Sequence, residues 1–417
     1  MVAREKSGAK IRPHRAGGKR ERLIRIPRAI ACRVIALEGT RRRPVRWKPG
    51  RQGKGGSRFV VRAACFLLVL ASSFIVNTLR AVARRLEPAF LLLRMDSLIT
   101  QPVAIGIDFG GTSIKLGLVA AGGLTQRAES LSTLAYQRAD DLLAAILVAV
   151  DSLRAQNPDA VAIGAGLPGI VDSRHGVVHH LTNVPGWVNV PLRELLAMHT
   201  GLPAAIENDA NAMAYAEWKF GAGRGRRNVV CVTLGTGVGA GLILDGQLFR
   251  GSYLGAGEVG NVSIDYRGVP GPYGNFGALE RYVGNGPIAA RALARYEAAG
   301  QPRSIIDCTP YLLAEAAAGG DAVASEIWEE TGVMLGAALA DIVWLLNPDA
   351  IVLGGGVAQA GELIFAPVRR TIRERTSPVF HENLEILPAE LGNDAGLIGC
   401  GALAADLIPP ATAKVSA

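Results

Sequence analysis

Residues 103–119 read VAIGIDFGGTSIKLGLV: two apolar runs joined by a glycine pair. The pattern returns at residues 229–244 as VVCVTLGTGVGAGLIL, with Asp108 and Thr233 at matching places 125 residues apart. Each stretch predicts two strands joined by a tight turn, because glycine adopts the backbone angles such turns need. The recurrence reads as an internal duplication. Between the two, the apolar spacing of residues 139–155 predicts an amphipathic helix, 160–165 a strand, and 210–220 a helix stopped by Gly221. Next comes a turn-dense connector, GNVSIDYRGVPGPYGNFGALE at 260–280. The pattern beyond it is mostly helical until NPDAIVLGGGVAQAG, where an apolar strand at 350–353 meets three glycines and then a helix. Alternating strands and helices predict an α/β architecture, and two glycine-turn hairpins predict two lobes.

Charge divides the chain differently. Residues 1–94 carry 24 Lys and Arg against 4 Asp and Glu, and the remainder 21 against 32, so the formal net charge of +9 describes neither part. The apolar run AACFLLVLASSFIV at 63–76 is 14 residues, or about 21 Å of helix against a hydrocarbon core of ~30 Å. It also starts too late for a signal peptide. The basic run RRRPVRWKPGRQGKGG at 41–56 could neutralise phosphates, but no pair of amphipathic segments around a short turn accompanies it. Residues 1–94 are therefore expected to be a disordered extension or no part of the mature protein, with the folded part beginning within ten residues of Met95. Neither a membrane nor a nucleic acid is expected as partner. The five cysteines (Cys32, Cys65, Cys231, Cys308, Cys400) form no CxxC pair, which argues against a disulfide scaffold or cysteine zinc cluster and for the reducing cytoplasm.

The glycine turns carry the candidate chemistry. DFGGT, LGTGVGAG and LGGGVAQAG each leave backbone N–H groups free to converge on phosphate oxygens. GAGLPG at 164–169 matches a dinucleotide fingerprint, but a β-like, proline-interrupted stretch follows where that fingerprint needs a helix. No GxxxxGK[ST] is present, which excludes a P-loop NTPase. Asp108 is either a turn aspartate or a carboxylate holding Mg²⁺ near phosphates, and Thr112 can donate a hydroxyl to the same phosphates. In ENDANA, Asn208 or Asp209 can cap the following helix. The helix dipole is expected to hold Asp209 ionised, as a base for phosphoryl transfer to a hydroxyl.

With GLPGIVD, NVPGW, GAGEVG and LGGG added to these motifs, residues 102 to about 407 resemble the repressor/open-reading-frame/kinase (ROK) family of bacterial sugar kinases, above all its glucokinases. The resemblance implies the α/β, two-lobed actin-like ATPase (ribonuclease H-like) fold with a cleft between lobes. The small lobe would comprise 102–221 plus about 395–411 and the large lobe 222–394. It implies a homodimer that transfers the ATP γ-phosphate to a hexose with Mg²⁺, glucose to glucose 6-phosphate. Asp108, Gly110, Gly111, Thr112 and Lys115 would then belong to a first phosphate loop, with Asp108 toward Mg²⁺, and Gly235, Thr236 and Gly237 to a second. Gly354, Gly355 and Gly356 would flank adenosine. Asp209 would be the base, and Asn183, Asn208, Glu258 and Glu280 would hold sugar hydroxyls. Where the family has one histidine and three cysteines on a structural zinc, this chain has Asn261, Gly271, Tyr273 and Ala278. No zinc is expected, and Asn261 becomes a candidate sugar ligand. The rigidity of the connector is expected from Pro270 and Pro272, with Tyr273 and Phe276 as packing bulk. Fructose, mannose and N-acetylmannosamine are alternative substrates and polyphosphate an alternative donor. A sugar-responsive transcription repressor is the alternative outside catalysis.

Overall fold

The computed structural model describes residues 103–120, 123, 125–136, 138–181 and 186–409. The basic extension at 1–94, its apolar run and Asn183 lie outside them. Strands β1 (Val103–Phe109), β2 (Ser113–Val119) and β3 (Thr125–Ser132) form an antiparallel meander, followed by helix α1 (Ala139–Gln156) and strand β4 (Ala160–Leu167). Three short strands, β5 (Ile170–Asp172), β6 (Val177–His180) and β7 (Val188–Val190), make a small antiparallel sheet. Helix α2 (Leu192–Thr200), strand β8 (Ala204–Asn208) and helix α3 (Asp209–Phe220) follow. The second half repeats the plan with β9 (Val229–Leu234), β10 (Val238–Leu244) and β11 (Gln247–Phe249). Helices α4 (Asn285–Ala298), α5 (Pro310–Ala318) and α6 (Ala322–Leu346) precede β12 (Ala350–Gly354), α7 (Glu362–Arg375), β13 (Glu385–Pro388) and α8 (Ala395–Ala405).

The two five-stranded sheets have the same topology. Their orders are β3-β2-β1-β4-β8 and β11-β10-β9-β12-β13, each with three antiparallel strands and then two added in parallel. Asp108 and Thr233 occupy the penultimate positions of β1 and β9, facing Lys115 and Gly239 across their hairpins. The duplication expected from the pattern is therefore present in the register as well. Helix α1 buries Leu142, Ile146, Val150 and Leu153, the three-and-four spacing of one helical face, against the first sheet with Ile105, Ile107 and Leu116. Helices α4 and α6 cover the second sheet, where Val230 and Val232 meet Trp328, Leu335 and Leu339.

Helices α3 and α8 form a thin layer between the sheets. Helix α3 packs on β9 and β10, α8 on β1 and β4, and the two helices on each other. The contact needs glycine: a Cβ at Gly399 would stand 1.8 Å from the Ala212 carbonyl oxygen, far inside van der Waals distance. The end of α3 is pinned by Glu217, a fully buried side chain. Its carboxyl oxygens accept backbone N–H groups from Ala222 at 3.0 Å, Glu390 at 3.2 Å and Leu391 at 2.9 Å. Three donors satisfy a group whose burial would otherwise be costly, and they join α3 to the segment leading into α8. Among the described residues no helix is long and apolar enough to cross a membrane.

Candidate active site

Strand β8 ends and α3 begins at Asn208, whose extended backbone and short amide make it the N-cap. Its Oδ1 accepts the N–H groups of Ala210 at 3.0 Å and Asn211 at 3.2 Å. Asp209 is thereby held at the first turn, where its own Oδ1 accepts the Ala210 N–H at 2.8 Å. The expectation that the helix N-terminus keeps this carboxyl readily ionised is corrected. Burial is the larger effect and raises the Asp209 pKa above its ordinary value, the Ala210 N–H pulls it down by less, and nearby Glu258 adds to the rise.

Two polar cavities meet at this turn. The larger, about 670 Å³, is lined by Asn208, Asp209, Gly235, Thr236, Gly237, Glu258, Asn261 and Glu280, together with His179, Asn211, Tyr253 and Tyr273. The smaller, about 340 Å³, is lined by Asp108, Asp209, Thr233, Gly354, Gly355, Gln359, Asn393 and Gly396. Asp209, Ala210 and Thr233 belong to both walls. Gly356 lines a third, more apolar cavity of about 640 Å³ with Tyr311, Ala314 and Leu363, next to the smaller one through Gln359.

Asp108 faces the smaller cavity because position 396 has no side chain: a Cβ there would stand 2.6 Å from its Oδ1. Burial pushes the Asp108 carboxyl up to about 6, against the pull of Lys115 and with the repulsion of Asp209 and Asp394. Lys115 Nζ lies 3.9 Å from Asp108 and also donates to the Asn393 carbonyl, tying the hairpin to the loop before α8. Two neighbouring carboxyls with raised pKa values offer the oxygen ligands a hard cation prefers, although the Lys115 ammonium stands 3.9 Å from one of them. Among the described residues no group of three or more His, Cys, Asp or Glu side chains could hold a metal on its own, so Mg²⁺ here would need phosphate and water oxygens as well.

The remaining predicted residues are placed less directly. Gly110, Gly111 and Thr112 form the exposed tip of the β1–β2 hairpin and line neither cavity. Some of their backbone groups are used locally, Gly110 N–H to the Ser113 carbonyl at 2.8 Å and Thr112 C=O from the Thr133 N–H at 3.1 Å. Asn183 is not among the described residues. The connector is closed by hydrogen bonds: Gly271 N–H to the Asn275 carbonyl at 2.7 Å, Gly277 N–H to Val269 at 2.8 Å, and Val269 N–H to the Tyr282 hydroxyl at 2.8 Å. The Asn275 amide donates to the Asn261 carbonyl at 3.2 Å, and the Asn261 amide to Glu258 Oε2 at 3.2 Å. At the other end Glu280 Oε2 accepts Val238 N–H at 3.4 Å. Pro270, in an isolated bridge with Phe276, sits inside this frame, while Tyr273 is exposed at the cavity wall. His179, Tyr253, Gln359 and Asn393 were not anticipated: Gln359 stands in LGGGVAQAG and Asn393 between Gly392 and Asp394, but the glycines carried the signal there, and His179 and Tyr253 belong to no motif singled out.

Two sheets of one topology, each opened by a glycine-turn hairpin and flanking a cleft with polar cavities, define the two-lobed actin-like ATPase fold. The chain belongs to the ROK family, whose model matches residues 104–407. It is 33% identical over 317 residues to a glucokinase of Streptomyces coelicolor, spanning 74% of this chain and 99% of the relative. The crystal structure of a ROK glucokinase from Streptomyces griseus in complex with glucose and AMPPNP is 33% identical and superposes with a TM-score of 0.63, covering 73% of this chain and 99% of that one. The DNA-binding transcriptional repressor Mlc of Escherichia coli is 32% identical over 244 residues, 57% of this chain and 59% of the repressor.

Proposed function

We propose that this protein is an ATP-dependent hexose kinase converting glucose to glucose 6-phosphate, with Asp209 as the base. The observation that carries the reading is the position of Asp209 in the wall common to both cavities. A hydroxyl in the larger cavity and a phosphate in the smaller one would meet beside Asp209, Ala210 and Thr233, and of these only Asp209 carries a carboxylate. Asn208, Glu258, Asn261 and Glu280 then offer amide and carboxyl groups to the remaining hydroxyls. The sugar hydroxyl gives its proton to an Asp209 oxygen as its bond to the γ-phosphorus forms and the bond to the ADP oxygen breaks. A base raised by burial accepts that proton more readily than an ordinary aspartate would.

Asp108 and Lys115 fit the nucleotide side. Asp108 would hold Mg²⁺, which when bound neutralises phosphate charge, and Lys115 fixes Asp108 against the Asn393 loop. The adenosine is assigned to the cavity beside Gly355 and Gly356, where Tyr311 and Leu363 supply apolar surface. An ADP-release assay with glucose, fructose, mannose and N-acetylmannosamine, each with ATP or polyphosphate, tests the reading. Glucose with ATP is expected to give the highest kcat/KM. The absence of turnover with every one of these sugars, with either donor, would overturn it.

A further inference from the structure

Behind the larger cavity, the buried Glu207 pairs with the partly exposed Arg250 and so joins two segments that line it. Glu207 is the residue before the Asn208–Asp209 turn, and its side chain is 5% exposed. Its Oε1 accepts the Asn208 N–H at 3.0 Å and the Asn211 side-chain amide at 3.0 Å, and its Oε2 accepts Arg250 Nε at 2.6 Å. The first two bonds fix the peptide from which the N-cap of α3 springs. Arg250 follows β11 directly and opens the segment whose residues 253–258 line the cavity. Its backbone carbonyl accepts the Ala256 N–H at 3.1 Å, folding residues 250–256 into a closed loop that delivers Glu258. One arginine thus holds the loop of Glu258 through its main chain and the turn of Asp209 through its side chain.

We propose that Arg250 and Glu207 are positioning residues that fix the distance between the sugar-side glutamate and the base, so that the two walls move as one. The proposal rests on the kinase reading only for its kinetic consequence. The chemistry favours an orienting role: an N–H···O contact of this length between charged groups is strong and directional. It also places an otherwise unpaired buried carboxylate where an apolar contact would hold the fold at no such cost. Asn211 Oδ1 is buried without a partner. With its Nδ2 committed to Glu207, the amide cannot turn to satisfy it.

The test compares Arg250→Met, Arg250→Lys and the double variant Glu207→Gln/Arg250→Met with the wild-type chain. Each is measured for kcat, sugar KM, ATP dissociation constant, thermal midpoint and hydrogen exchange. Arg250→Met is expected to lower kcat about tenfold or more, because small displacements of a reacting group are costly, and to raise the sugar KM by a larger factor than the ATP dissociation constant. Arg250→Lys keeps the charge and should recover part of the loss. The double variant leaves no uncompensated buried charge and should regain the thermal midpoint while kcat stays low. Recovery of wild-type kcat in the double variant would reduce the pair to a charge-burial device and overturn the proposal. Hydrogen exchange decides independently of turnover. Residues 208–211 and 251–258 should lose protection together in Arg250→Met, and unchanged protection at 208–211 would also overturn it. A wild-type chain that phosphorylates no sugar refutes the kinase reading, and the exchange result still decides the coupling.

Discussion

Asp108 offers a case where a substitution at the candidate site should stabilise the protein. The folded state binds the Asp108 proton more tightly than the unfolded chain, with a value near 6 against an ordinary 3.8. Its contribution is therefore most favourable below about 3.8, falls as the pH rises through about 6, and is a net cost above that. The rise from 3.8 to about 6, at ~1.36 kcal/mol for each tenfold in proton affinity, gives a cost of order 3 kcal/mol at pH 8, with the attraction of Lys115 already counted. Asn approximates the neutral carboxyl in shape. In EDTA and without nucleotide, Asp108→Asn is expected to gain about 3 kcal/mol at pH 8, roughly 5 °C or more in Tm for a chain of this size, and to lose most of that gain by pH 4. Urea unfolding across pH 4–8 measures it. Added MgATP should reverse the order, stabilising the wild-type chain more than the variant. A variant no more stable than wild type at pH 8, or a gain that does not shrink on acidification, would refute the assignment of burial as the dominant cause.

Asp209→Asn keeps the size and hydrogen-bonding reach of the side chain but removes the proton acceptor, so kcat should fall about 10²-fold or more. Because burial raises Asp209, wild-type kcat should fall with acidification at a higher pH than an ordinary aspartate would set, and that limb should vanish in the variant. Asn275→Ala removes the amide that ties the connector to Asn261, and Pro270→Ala with Pro272→Ala loosens the same frame. Both should raise the sugar KM with little change in ATP binding, and zinc chelation with Mg²⁺ in excess should leave activity intact. Gly399→Ala forces α8 away from α3 and is expected to cost several kcal/mol, within the range for overpacking a tight core contact, read as a lowered urea midpoint.

The parts of this architecture that follow from local pattern were legible. The hairpins at 103–119 and 229–244 announce themselves through apolar runs around glycine, and α1 through its spacing. Strands β5, β6 and β7, of three or four residues each, are too short for a period to register. The site residues inside motifs, Asp108, Asn208, Asp209, Glu258 and Glu280, could be singled out, and the fold brings the last four to one cavity. What could not be read was set by distance along the chain and by burial. Lys115 meets Asn393 across 278 residues and Glu207 meets Arg250 across 43, and neither member of either pair carries a signal of its partner. The Asp209 environment was misjudged because a cap motif reports the helix dipole next to it, whereas the desolvation that outweighs the dipole comes from residues far away in sequence.

Helix α3 has a consequence for ligand binding through its two ends. Its first residue is Asp209 in the wall of the larger cavity, and its end is fastened through Glu217 to Glu390 and Leu391, just ahead of Gly392 and Asn393 in the wall of the smaller one. Twelve residues of helix make a rod of about 18 Å. A rod fixed at both ends reports each cavity to the other, so a ligand that settles Asp209 also settles the Asn393 loop. Thermodynamic linkage then requires the effect to be equal in both directions: the factor by which sugar tightens nucleotide binding is the factor by which nucleotide tightens sugar binding.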